Sequence, residues 1–370
     1  MRKAVPAALP VVVKIGSSSL TDASGEIDDT SIESLVGQLV ALRSTGNAPV
    51  LVSSGAIAAG LPQLGISERP RTIADLQVAA AVGQTKLMAR YGALFEVHGI
   101  GVGQVLLTKD VLGSRAQYLN ARAALERMIA LGIVPIINEN DTVAVDEVRL
   151  GDNDQLAAIA AHLVGAGMLV ILTDTDGLYS DDPRVSATAE FLAAVEHTDA
   201  ILDRIRETTT TGALGSGGVS TKIVAARMAA FSGVPTVIAP SASDDAVARA
   251  VRGEDVGTWI DPRPSSLPAR KLWIAFGVVT SGRICIDAGA EGAIRDSGRS
   301  LLAAGVSSVS GSFTRSQAVE VVSRDGHAVA KGLVRMSASE VAEVIGSHSS
   351  VAGGEVIHRD DLVILDVNPR

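Results

Sequence analysis

Asn138, Glu139, Asn140 and Asp141 leave an apolar run, IVPII, and Asp152, Asn153 and Asp154 open an Ala-rich segment a short way downstream. From 138 to 154 stand six carboxylates and three Asn against one basic residue, Arg149. Solvated loops are often acidic, but they also carry Lys, Ser and Pro. Amides and carboxylates gathered at a strand exit and a helix entrance suit a small polar ligand with an ammonium group, or a metal–nucleotide complex.

Two lysines offer the complementary chemistry. Lys14 closes the run VVVK and precedes Gly16 and Ser17, a loop whose successive backbone N–H groups can cradle phosphate; a solvated lysine beside a plain turn explains it as well. Gly215, Ser216, Gly217, Gly218, Val219, Ser220, Thr221 and Lys222 lead into KIVAARMAA. That arrangement places helix N-terminal amides and a lysine together, as an anion site requires, the other reading being a flexible linker. Ser54, Gly55 and Ala56 follow LVS, where small residues let backbone approach a ligand or simply make a tight turn. Thr173 and Asp174 start TDTDG, which lacks the closing Glu of a calcium loop and leaves a turn or a nucleotide contact.

Several chemistries are absent from the sequence. There is no G-x-x-x-x-G-K-[ST] loop, no G-x-G-x-x-G after a strand and no G-x-S-x-G elbow. His98, His162 and His197 have no partner at metal-ligand spacing, so no protein-bound metal is expected. Cys285, the single cysteine, lies in the alternating run GRICID and reads as a small buried hydrophobe.

Short β-branched runs at Val11–Ile15, Val50–Ser53, Val102–Leu107, Val134–Asn138, Leu169–Thr173 and Val234–Ala239 must position these groups. They alternate with helical segments at Ser31–Arg43, Ala74–Val97, Ser114–Ala130, Gln155–Val164 and Thr221–Phe231. Near-continuous apolar strands between helices indicate a mainly parallel sheet covered on both faces, a three-layer α/β sandwich. Ligands of such sheets bind beyond the carboxyl ends of the strands. Four strand exits carry small or polar residues, so four loops converge on one site.

Length and composition set the frame. A chain of 370 residues calls for two domains. Apolar content of 47% with only 3% aromatic suits α/β architecture, and a net charge of −9 disfavours non-specific nucleic-acid or anionic-membrane binding. The start, MRKAVPAALP, is too short and Pro-interrupted for a signal peptide, and no apolar run is long enough to span a membrane, so a cytoplasmic protein is expected. Residues 253–271 carry three Pro and no clear period, which reads as a linker. Alternating runs beyond it, at Arg283–Asp287, Ala318–Val322 and Val363–Val367, suggest a small β-rich domain. The expected limits are 8–260 for the α/β domain, 261–275 for the linker and 276–370 for the β-rich domain.

Taken in order, VVVKIGSSSL, VSSGAIAAG, PIINENDTV, GDNDQLAA, LTDTDGLY and GSGGVSTK resemble the amino acid kinase family, and its glutamate-phosphorylating branch most of all. The tail, with IDAGAEGAI, SLLAAGVSSVSGSF and GHAVAKGLVRMSASE, resembles a PUA domain. Ser216 and Val219 stand where the family more often has Thr and Met. The resemblance implies transfer of the ATP γ-phosphoryl group to the glutamate side-chain carboxylate, the first step of proline synthesis. It implies Lys14 and Lys222 as catalytic cations oriented by Asp154, with Mg²⁺ carried on the ATP phosphates. Ser54, Gly55, Ala56, Asn138, Asp141, Asp152 and Asn153 would hold L-glutamate, the acids on its ammonium and the amides on its carboxylates. Lys14, Gly16, Ser17, Thr173, Asp174 and Ser216 to Lys222 would hold ATP. Proline inhibition and a homo-oligomer, a dimer or tetramer, are also implied. Other acceptors within the family are acetylglutamate, aspartate and a nucleoside monophosphate. PUA domains elsewhere bind RNA, but residues 276–370 hold nine Lys/Arg against eleven Asp/Glu, which lacks the basic balance of an RNA binder.

Overall fold

Eight strands form the central sheet of the computed structural model, which describes residues 2–22, 26–66, 68–143, 152–210, 217–347 and 354–365. In chain order they are β1 (Pro10–Ile15), β2 (Ala48–Ser53), β3 (Val102–Leu107), β4 (Val134–Glu139), β5 (Met168–Thr173), β6 (Ala194–Glu196), β7 (Thr236–Pro240) and β8 (Thr258–Asp261). The spatial order is β3-β4-β2-β1-β5-β7-β8-β6. All pairings are parallel except β7 with β8. From β1 the chain therefore builds outward in two directions, first through β2 and then through β5. The crevice beyond the carboxyl end of β1 is the switch point where such sheets bind ligands.

Helices α1 (Asp29–Ser44), α2 (Ala56–Gly60), α3 (Ile73–Glu96), α4 (Arg115–Ala130), α5 (Asp152–Leu163), α6 (Ala200–Thr210), α7 (Gly217–Phe231) and α8 (Ala246–Val251) cover the sheet. Their starts follow capping chemistry: Asp28, Thr72 and Ser114 accept from backbone N–H groups of the first turns of α1, α3 and α4. Alternation along the strands decides which layer each side chain meets. Val11, Val13 and Ile15 of β1 join Leu51, Ile136, Val170 and Leu172 in a core with α1, α3 and α8. The other face belongs to α5, which lies against β1, β2, β4 and β5, and to α7, which packs on α5, β5 and β7. Lys14, between Val13 and Ile15, consequently points to the α5 layer.

Two short strands lie outside the expected elements. β8 falls inside the stretch expected as linker, and β6 pairs beside it. The run from 253 to 271 is thus a strand followed by an irregular segment, with Trp259 and Ile260 buried.

Contacts divide the chain into two compact units, 1–197 with 201–266, and 198–200 with 267–370. The second, after a short helix α9 (Ala269–Leu272), is built on β9 (Thr280–Ile286), β11 (Val306–Gly311), β12 (Ala318–Val322), β13 (Ala328–Leu333) and β15 (Leu362–Ile364), ordered β11-β9-β12-β13-β15. A two-stranded pair, β10 (Leu301–Leu302) with β14 (Glu355–Ile357), and helices α10 (Ala288–Arg295) and α11 (Ala338–Val344) complete it. Its own core includes Ile284, Phe313, Val321 and Val341. Among the described residues no helix is long and apolar enough to cross a membrane.

Candidate active site

Lys14 leaves β1 with its side chain almost wholly buried, 5% exposed, and its ammonium lies 2.5 Å from Asp154 Oδ1, itself 1% exposed. A buried carboxylate and a buried ammonium coexist only as a pair, because each alone would carry an uncompensated desolvation cost. The second carboxylate oxygen, Oδ2, accepts from Thr221 Oγ1 at 2.6 Å. Asp154 is therefore engaged on both oxygens, by the end of β1 and by the start of α7. Lys222 follows directly: its Nζ donates to the Gly218 carbonyl at 3.1 Å. Burial lowers the Lys222 pKa; Asp154 opposes that, Lys14 reinforces it and Asp174 opposes it. Two ammoniums thus lie near one doubly engaged carboxylate, Asp154, and within the influence of a second, exposed one, Asp174.

Glycine makes room for both cations. A Cβ built on Gly16 would stand 3.4 Å from Lys14 Nζ, and one on Gly218 would stand 3.4 Å from Lys222 Nζ. α5 and α7, which both begin here, also point their N-terminal ends at the site, adding partial positive charge.

Thr173 and Asp174 close β5 beside this cluster. Thr173 Oγ1 donates to Asp174 Oδ1 at 3.2 Å, and Asp174 is exposed. Ser17 starts a single turn of 3₁₀ helix after Gly16. The stretch Gly217–Lys222 is helical from its first residue rather than a loop that precedes a helix, with Val219 and Ser220 in the first turn of α7. Ser216 lies outside the described residues, as do the side chains of Gly217 and Asp152, although Asp152 begins α5.

Asn153, the neighbour of Asp154, joins a set of uncharged side chains. Ser54 N–H donates to the Ile15 carbonyl at 3.2 Å, tying the β2 exit to β1. Gly55 follows at φ 99°, the left-handed conformation that starts α2 at Ala56. Asn153 Nδ2 donates to Ser54 Oγ at 3.0 Å and to Asn138 Oδ1 at 2.9 Å. Asn138 Nδ2 in turn donates to Gln84 Oε1 at 2.8 Å. The amides of Asn138 and Asn153, expected to meet a ligand's carboxylates directly, are thus joined first to each other and to Ser54. Asp141 lies half-buried in the turn after β4.

Sequence reasoning missed the contribution of α3. Gln84 and Tyr91, seven residues apart, share one helix face. Gln84 holds Asn138, while Tyr91 OH and Ser53 Oγ lie 2.8 Å apart with both residues fully buried. The backbone of α3 also presses on α2: a Cβ at Gly83 would come within 1.8 Å of the Ala56 carbonyl oxygen. One signal was present, a Gln and a Tyr on the buried face of an otherwise small and apolar helix.

No group of three acidic, His or Cys residues able to hold a metal occurs among the described residues. His162, read as structural, is half-buried against Tyr118, its Nε2 3.4 Å from the phenol oxygen, and partial burial pulls its pKa down to about 4.

A mainly parallel α/β sheet with buried Lys14 and half-buried Lys222 beyond its strand ends is the setting, and the chain belongs to the amino acid kinase family, which residues 10–240 match. Residues 282–351 match the PUA domain. Among curated proteins, the chain is 44% identical over 99% of its length to a protein named glutamate 5-kinase from Marinomonas sp. (strain MWYL1), covering 100% of it. It is 45% identical, at the same coverages, to the glutamate 5-kinase of Pseudomonas entomophila (strain L48). Identity is 44% to that of Pelobacter propionicus, over 96% of this chain and 97% of the relative.

Proposed function

We propose that the chain is a glutamate 5-kinase, transferring the γ-phosphoryl group of ATP to the side-chain carboxylate of L-glutamate to give L-glutamyl 5-phosphate and ADP. The observation that carries this reading is Lys14 paired with Asp154, which also accepts from Thr221 beside Lys222, while Asn153, next to Asp154 in the chain, joins the neutral hydrogen-bonded set of Ser54 and Asn138. In the reaction a carboxylate oxygen attacks the γ-phosphorus and the bond to the β-phosphate bridging oxygen breaks, its electron pair leaving with ADP. The nucleophile is already ionised at neutral pH, so no general base is needed, and the lack of a histidine at the site is consistent with that. Positioning and charge stabilisation are the protein's tasks.

Lys14 and Lys222 supply the positive charge, Lys14 on the β1 side and Lys222 on the α7 side of the transferring group. Gly16, Ser17, Thr173, Asp174 and the first turn of α7 through Gly218, Val219, Ser220 and Thr221 form the nucleotide side. Ser54, Gly55, Ala56, Asn138 and Asn153 form the acceptor side, with Asp141 and Asp152 assigned to the glutamate ammonium. Magnesium, which prefers phosphate and water oxygens in octahedral geometry, enters on the ATP phosphates. Proline, an amino acid with the same α-ammonium and α-carboxylate, would compete at the acceptor side.

Acceptor-dependent release of ADP from ATP, with the acyl phosphate of a carboxylate acceptor trapped by hydroxylamine, tests the reading. Glutamate should give product, while acetylglutamate, aspartate and UMP should not, and millimolar proline should suppress the reaction. Product from one of the other acceptors and none from glutamate would overturn it.

A further inference from the structure

Gln84 stands 54 residues from Asn138 in the chain and belongs to no motif, yet it ends a line of hydrogen bonds that begins at the acceptor wall. The direction of that line is determined by one group that can only donate. The Glu139 backbone N–H gives to Asn138 Oδ1 at 2.9 Å and to Asn153 Oδ1 at 3.2 Å. Both amide oxygens must therefore face that N–H, and both amide nitrogens must face away. Asn153 Nδ2 then meets Asn138 Oδ1 and Ser54 Oγ. Asn138 Nδ2 has to find an acceptor on the opposite side, toward α3, and Gln84 Oε1 is that acceptor. Gln84 Nε2 passes the same polarity outward to Gln104 Oε1 on β3, at 3.4 Å.

We propose that Gln84 is a positioning residue for the acceptor: its Oε1 holds from the far side the amide orientation that the Glu139 N–H sets in Asn138 and, through Asn153, steadies Ser54 with its hydroxyl hydrogen left for the acceptor side. Because Ser54 Oγ already accepts from Asn153, its own proton is the group that remains to be given to a carboxylate. Without the Gln84 oxygen, Asn138 gains nothing from its present orientation on that side. Reversal of its amide sets two N–H groups, those of Asn138 and Asn153, against each other. Without Gln84 Oε1 the Asn138 amide is therefore held from one side only, and with it the Asn153 amide that donates to Ser54. Gln84 is buried, 8% exposed, so water does not readily replace it. The site depends on α3 mechanically as well, since Gly83, its neighbour, carries the close backbone contact to Ala56.

This inference rests on the glutamate kinase reading and is tested within it by steady-state kinetics on the full chain. Gln84→Met keeps length and volume but removes the acceptor. It should raise the glutamate KM about tenfold, the ordinary worth of one buried hydrogen bond, with the ATP KM changed less than about twofold. Gln84→Glu retains an oxygen for Asn138 Nδ2 and should bring the glutamate KM back to within about threefold of the unaltered enzyme. A residue that merely fills space would behave the opposite way, tolerated as Met and disturbed as Glu. Asn138→Asp, which keeps the oxygen for Glu139 N–H but cannot donate to Gln84, should raise the glutamate KM as Gln84→Met does. The double variant should be no worse than either single one, because both break the same link. An unchanged glutamate KM in Gln84→Met, or equal rises in the KM for glutamate and ATP, would overturn the proposal. If Gln84→Met does not fold, an unchanged glutamate KM in Asn138→Asp does so alone. Failure of the unaltered chain to phosphorylate glutamate would instead sink the kinase reading.

Discussion

The two walls of the site are built from opposite materials. On the side of β1, β5 and α7 stand Lys14, Lys222, Asp154 and Asp174, all formally charged. Beside β2, β4 and α3, Ser54, Asn138, Asn153 of α5 and Gln84 form a neutral hydrogen-bonded line, with Tyr91 bonded separately to Ser53 and one acid, Asp141, in the turn beyond β4. The difference matches what each must handle. Charge that spreads over a transferring phosphoryl group is stabilised by fixed cations. An attacking carboxylate, by contrast, loses nucleophilicity if a cation neutralises it, so neutral donors can hold it in line while leaving its lone pairs reactive. Charge is concentrated where charge moves, and amides serve where geometry must be read.

Removing the charged wall's centre should have the largest effect. Asp154→Ala leaves Lys14 buried without its counter-ion and releases Thr221. Thermal or denaturant unfolding should show a loss of about 3–5 kcal/mol, the usual result of orphaning a buried charge. kcat should fall by about a thousandfold in whatever fraction stays folded. A variant with near-normal stability and kcat would mean that the lysines do not depend on Asp154.

On the neutral wall the corresponding test is Asp141→Ala, at the one acid assigned to the acceptor whose turn is described. Loss of a charge-assisted contact to the ammonium should raise the glutamate KM by about ten- to a hundredfold, with the ATP KM nearly unaltered. Equal changes in both would erase the division between the walls.

Thr221→Val is a finer cut across the charged wall. It deletes the 2.6 Å bond to Asp154 Oδ2 while keeping shape, so kcat should drop about tenfold and Thr221→Ser should restore most of it. If Ser is as poor as Val, the methyl group rather than the hydroxyl is what matters.

The two walls should also differ in their response to pH. Burial and Lys14 hold the Lys222 pKa below the ordinary 10.5. The cation is lost as pH rises through that lowered value, so kcat should decline on an alkaline limb that begins early for a lysine. The sign for stability follows from proton binding. Between the folded and unfolded values the unfolded chain holds more protons at this position, so the Lys222 contribution to stability becomes more favourable as pH rises through that interval. Lys222→Arg, always charged, should abolish the limb at some cost in kcat; an identical limb in the variant would assign it elsewhere.

Sequence and structure agree where packing follows local pattern. The runs VVVKI and MLVILT are apolar up to their last residues, Lys14 and Thr173 aside, so β1 and β5 were legible as buried parallel strands, and with them the placement of those two residues at the carboxyl end of the sheet. β8 was not: TWID is four residues among Gly, Asp and Pro, and its pairing with β7 on one side and β6 on the other makes it a strand. The start of α7 was misplaced because Gly217 and Gly218 are poor helix formers by propensity, which packing of α7 on α5 overrides. The lysine pair and the acidic stretch were visible as motifs, since their chemistry is carried by residue type. The amide line was not, because Gln84 meets Asn138 only through tertiary packing and an amide in an Ala-rich helix announces nothing about its partner.

Tyr91 gives the smallest test and the one that separates support from chemistry. Its hydroxyl and the Ser53 hydroxyl share one buried hydrogen bond, one residue before Ser54, and burial pushes the phenol pKa up, so it stays neutral throughout the working range. Tyr91→Phe keeps the ring in the core and strands only the Ser53 hydroxyl, which still donates to the Ser54 carbonyl at 3.0 Å. Stability should fall by about 1 kcal/mol, seen as a modest drop in Tm, and the glutamate KM should change less than about threefold. A tenfold rise in the glutamate KM from so slight a change would show that the neutral wall is held from strand β2 as firmly as from Gln84. Acceptor binding would then be set by the whole face of α3 rather than by one amide.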